Sequence, residues 1–96
     1  MIVRVEADGS PSLDEPANCG GLHVAGAGER DVIAALESAG VATRLDDDHV
    51  ALSIAWLRAA SAGAATPSAF DGMIRYATTK GWVDDAGTAV RAHVQR

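Results

Sequence analysis

Between Thr88 and Gln95 the chain alternates strictly, Val90, Ala92 and Val94 interleaving with Arg91, His93 and Gln95. Period-two alternation sends the two sets of side chains to opposite sides of a pleated backbone, so this segment predicts a β-strand with one dry and one wet face. Such a strand cannot stand alone. Its backbone N–H and C=O groups need partner strands, and its dry face needs a cover.

A cover is legible upstream. Phe70, Met73, Ile74 and Ala77 recur at i, i+3, i+4 and i+7, which is one face of an α-helix. Thr66-Pro67 supplies a cap and a first helical residue, and Gly81 a stop, so the helix is predicted over 67–80. A second helix is predicted over 29–39. Val32, Leu36 and Ala39 form its stripe, Glu29 and Asp31 occupy its first turn, and Gly40 follows it. A third starts near Ser53–Ala55 and carries Trp56, Leu57 and Ala60.

Partner strands are shorter. Val3, Val5 and Ala7 alternate with Arg4 and Glu6 until Asp8-Gly9-Ser10-Pro11 ends the pattern. Residues 8–21 hold two of the three prolines, three of the ten glycines and one leucine, and read as a long loop. Leu22–Ala25 is a short strand that runs into Gly26-Ala27-Gly28. Residues 41–54 admit two solutions. One is a hairpin, Val41–Leu45 and His49–Ile54 about the Asp46-Asp47-Asp48 turn. The other is a helix capped by Asp48, with Val50, Ile54 and Leu57 on one side. Alternation of Val50, Leu52 and Ile54 with small or polar residues favours the hairpin.

From residue 21 onward the order is strand, helix, strand, strand, helix, strand. That order predicts an α+β domain over 1–96. Its fold would be a small antiparallel sheet with two to three helices on one face, in the ferredoxin-like βαββαβ arrangement with an extra N-terminal strand. In it, strand 22–25 lies in the middle, between 49–54 and 88–95. Twenty of the apolar residues are alanine, so the core is thin for 96 residues and a homo-oligomer or protein partner is expected.

Several classes of function are disfavoured. No apolar run approaches the roughly 20 residues of a membrane span, and Met1–Glu6 lacks the basic start and long apolar stretch of a secretory signal. The single cysteine forms no internal disulfide, and a cytoplasmic protein is expected. Net charge is −5, with three arginines against ten acids in residues 1–49 and five basic residues against three acids in 50–96. An acidic chain repels a phosphate backbone, so nucleic acid is an unfavoured partner. A winged-helix arrangement, with 67–80 as reading helix (Ser68, Arg75, Lys80) and 82–95 as wing, would set Asp84-Asp85 against phosphates.

Candidate chemistry gathers on the wet face. The predicted sheet projects all three histidines, His23, His49 and His93, from one side together with Arg91. These four are the candidate binding residues, because imidazole titrates near neutrality and guanidinium holds anions. A plain solvated sheet face is the simpler explanation. Cys19, with His23 or His93 as base, forms the candidate catalytic set, against an inert, partly buried thiol. Cys19, His23, His49 and Asp46–Asp48 match no standard metal-ligand spacing, so neither metal nor cofactor is expected. Gly26-Ala27-Gly28 lacks the third glycine of a dinucleotide cradle, Asp31 standing there, and is read as a connection. Trp82 is expected to clasp the end of helix 67–80, and Tyr76, on the flank of that helix, to lie at the core edge, a surface anchor being the alternative.

These features predict a small non-catalytic binding or accessory module, or an oligomeric interaction module. The rival is a small enzyme or small-molecule binder with its pocket between the 8–21 loop and the sheet, using Cys19, His23 and His93.

Overall fold

A computed structural model of the protein describes residues 1–26 and 31–95. Strands β1 (Ile2–Val5), β2 (Pro11–Asp14) and β3 (His23–Ala25) come first, followed by helix α1 (Val32–Ser38). Strands β4 (Ala42–Arg44) and β5 (His49–Ser53) precede helices α2 (Ile54–Ser61) and α3 (Pro67–Thr79), and β6 (Ala89–Gln95) is the last element described. The hairpin solution for 41–54 is the one adopted, with Ile54 passing into α2 once the Ser53 hydroxyl accepts the Trp56 N–H at 3.1 Å.

The expected sheet is overturned. Six strands form one mixed sheet in the order β2-β1-β3-β6-β5-β4, curled into a half-barrel with three helices. It is neither small and antiparallel nor ferredoxin-like: β1, β3 and β6 run parallel, while β2, β5 and β4 pair antiparallel to their neighbours. The cause is competition for an edge. A strand has two, and β1 occupies one side of β3 through Ile2↔His23 and Val3↔Val24. Only the other side remains for β6, so β5 pairs with β6 instead and β6 takes the middle place expected of β3.

Two element boundaries also move. The loop expected over 8–21 contains β2, an edge strand whose first residue is Pro11; an edge tolerates the missing N–H and asks for few apolar side chains. Leu13 pairs with Val3, and the Arg4 guanidinium meets Asp14 across the hairpin. Helix α1 begins at Val32 rather than 29. Asp31 is its cap, accepting the Ala34 N–H at 3.1 Å, and Ala27, Gly28 and Glu29 lie outside the described residues.

The dry face is continuous across the register. Val3, Val24 and Val94 align on neighbouring strands, as do Val50 with Ala92 and Leu52 with Val90, and all are buried. Leu36 of α1, Leu57 of α2 and Phe70 of α3 belong to the same core. Both α1 and α3 end in the same way. Gly40 and Gly81 adopt a φ of 76°, open to glycine at little cost, and let the next N–H turn back onto the helix. Val41 N–H reaches Leu36 O at 3.1 Å, and Trp82 N–H reaches Ala77 O at 3.0 Å. That second bond ties Trp82 to the end of α3.

Candidate functional site

Strand register lines up the imidazoles. His23 lies opposite His93 on one side, and His49 lies opposite His93 on the other, so the three occupy one row across β3, β6 and β5. In-register partners share a face. The His49 and His93 rings meet edge to face, with centroids 5.2 Å apart. His23 turns away: its Nδ1–H donates to Gly21 O at 2.8 Å.

His49 has an orienting group that sequence reasoning missed. Its Nδ1 lies 2.9 Å from Asp46 Oδ1, and the same oxygen accepts the Asp48 N–H at 2.8 Å. The Asp48 N–H, and after it the His49 side chain, hold the Asp46 carboxyl below the usual carboxylate range. A spacing of three residues within the 46–49 turn was the available signal; the turn itself brings the carboxylate back onto the ring.

Beside this row lies a cavity of about 700 Å³ at the edge of β6. The edge changes partner there. Residues 93–95 pair with β3, whereas Val90 is bridged by Val83, and Arg91 N–H donates to Trp82 O. Between these partners the cavity meets both sides of the strand, Val90 and Ala92 from the dry side and Arg91 and His93 from the wet side. Residues Cys19–Leu22 form one wall, Met73, Tyr76 and Ala77 of α3 another, and His49 and Trp82 complete the lining.

Of the expected binding residues, His49, Arg91 and His93 thus share the cavity and His23 does not. Cys19 lines it too, half-buried and with a free thiol. Cys19, His23, His49 and Asp46–Asp48 do not assemble as ligands: among the described residues no group of three or more His, Cys, Asp or Glu is placed to hold a metal ion.

Tyr76 departs from expectation, whereas Trp82 folds over the end of α3 as expected. Tyr76 is 58% exposed rather than at the core edge, and Trp82, at 40%, stands edge-on to it with ring centroids 6.0 Å apart. Both follow from the end of α3. The left-handed Gly81 swings Trp82 back over the last turn, where Tyr76 is the nearest aromatic.

A carboxylate holds the next turn. Asp84 accepts the Thr88 N–H at 2.7 Å, the Thr88 hydroxyl at 2.9 Å and the Ala89 N–H at 3.1 Å, closing the chain into β6. The Ala89 N–H, then the Thr88 side chain, hold its pKa below the usual carboxylate value, as the Ala34 N–H does for Asp31. Because these carboxyls are more acidic folded than unfolded, their stabilisation is present above the ordinary carboxylate range and is lost as pH falls through it. Melting temperature is expected to drop below about pH 4. Asp84→Asn should flatten part of that slope in calorimetric melts; a melting temperature that rises toward acid would contradict this.

Compared with protein-family models, curated proteins and solved structures, the chain has no significant match.

Proposed function

We propose that this chain is a small non-catalytic binding module that holds a small organic molecule in the cavity at the edge of β6. One observation carries this: a cavity of about 700 Å³ has an apolar wall and a few polar groups converging on one side. That volume falls within the range of roughly 300–1,000 Å³ usual for small-molecule sites, whose lining has the same character. Met73, Ala77, Val90 and Ala92 supply contact area, Arg91 supplies donors, and His93 and His49 supply further polar groups. The single unpaired cysteine accords with a reducing, cytoplasmic setting. Exposed Tyr76 and Trp82 at the rim offer a place for a second copy or a protein partner.

Catalysis is the second possibility, favoured by one feature. Cys19 shares the cavity with His49, and Asp46 orients that ring as a general base would require.

One sample separates the two. Fragments added to isotope-labelled protein are expected to shift the amides of 19–22, 73–77 and 90–93, and Met73→Trp, which fills the cavity, should weaken them at least about tenfold. Shifts scattered elsewhere, or none at millimolar fragment, would remove the binding module. Iodoacetamide near pH 7 should label Cys19 no faster than a simple thiol; labelling faster by orders of magnitude would favour catalysis.

A further inference from the structure

We infer that the molecule held at the β6 edge is a small carboxylate with a planar apolar body, its anionic end on Arg91 and its body against Met73, Tyr76 and Trp82. This rests on the cavity being a small-molecule site and adds the chemical class.

Arg91 is the anchor by elimination of other work for it. The described ion pairs join Arg4 to Asp14, Arg44 to Asp31 and Arg58 to Asp71, and Asp46 is hydrogen-bonded to His49; Arg91 is in none of these contacts. Its cross-strand neighbour is Ala51, and the wet-face positions flanking Ala51 on β5 are His49 and Ser53, so β5 presents no carboxylate to it. Along β6 its wet-face neighbours are Ala89 and His93. In the adjoining turns Asp46 is engaged with His49 and the Asp48 N–H, and Asp84 with Thr88 and Ala89. A guanidinium stays charged at any accessible pH and presents a fork of donors that matches a carboxylate two-to-two. His93 follows two residues on along the same face, and the His49 ring stands against it.

The other end of the cavity selects for an apolar, flat partner. Tyr76 and Trp82 stand edge to face and remain partly exposed at the rim, with the Lys80 ammonium 5.5 Å from the Tyr76 ring centre, and Met73 adds an adaptable side chain to the lining. Opposite this wall the Cys19–Leu22 segment carries Gly20 and Gly21, which add no side-chain bulk to the opening.

The test pairs a charged probe with its neutral isostere. 1-Naphthoate is expected to bind the wild-type protein at least about tenfold more tightly than 1-naphthamide, by calorimetry and by amide shifts at 90–93. Arg91→Met should erase that difference, lowering naphthoate affinity by about 10–100-fold and leaving naphthamide unchanged. Arg75→Met, which removes an exposed arginine outside the cavity, should change neither, and circular dichroism checks that each variant is folded. Equal affinity of the two probes would overturn the anionic class while leaving the cavity as a binding site. Failure of both probes to bind at millimolar concentration would overturn the class and the site together. Loss of preference in Arg75→Met as well would assign it to net charge and overturn the role of Arg91.

Discussion

Phe70→Ala is expected to destabilise the protein by about 3–5 kcal/mol, the range for deleting a buried phenyl ring and leaving a void. Phe70 is 2% exposed and, with Ala77, is fully buried on α3, Met73 and Ile74 packing partly buried beside them. The Arg58 guanidinium lies 4.6 Å above the ring and its side chain pairs with Asp71, so α2 and α3 are joined at this point. Domains of this size are stable by roughly 5–15 kcal/mol, so the loss is a large share of the total. It also reaches the site. Met73, Tyr76 and Ala77 stand on the same helix, one to two turns beyond Phe70, and form one wall of the cavity. Urea titration of wild type and variant should show the midpoint fall, and fragment binding should weaken at urea concentrations where the variant is still folded. A change below about 1 kcal/mol would mean that α3 is held by something other than its phenyl anchor.

Val94→Asp should be more damaging still. Val94 is 1% exposed and faces Val24 across the parallel β3–β6 pair, next to the central core. A carboxylate there finds no cation buried in the core among the described residues. It must be desolvated unpaired or be protonated, at a cost above about 4–5 kcal/mol, comparable to the stability of the whole domain. The variant is expected to be unfolded at neutral pH by circular dichroism. Gln95→Asp, one residue on and exposed, should stay within about 0.5 kcal/mol of wild type. Were the neighbouring pair to behave alike, the in-and-out alternation of β6 would be wrong, and with it the placement of Arg91 and His93 on the wet side of the cavity.

That contrast marks how far local pattern reaches. The wet face of 88–95, the hairpin of 41–54 and the helix over 67–80 were all readable, because a period of two or 3.6 is a property of neighbouring residues and their shared burial. The ends of α3 were readable too. Thr66 accepts the Ala69 N–H at 3.1 Å, and Gly81 takes the left-handed turn, each serving a backbone group a few residues away. Strand β2 escaped notice because an edge strand opened by Pro11 needs one buried side chain, Leu13 being half-buried, and so leaves almost no periodic trace. The exposure of Tyr76 is not legible in the periodicity, since flank positions on a helix are decided by what packs there, and the α3 flank faces solvent and Trp82.

The candidate site divides along the same line. Alternation alone sent His23, His49, Arg91 and His93 to one side of the sheet, and their common face is what the amino-acid order determined. Which of them share a cavity was decided by the choice of strand neighbours. With β1 on one edge of β3, β6 moved to the centre; its edge was left between β3 and the Trp82-Val83 segment, and there the cavity opens, taking in His49, Arg91 and His93 and leaving His23 aside. Side-chain direction is set by the backbone within two or three residues. Edge pairing is set by competition among segments 20 to 90 residues apart, which leaves no mark on any one of them until all have folded together.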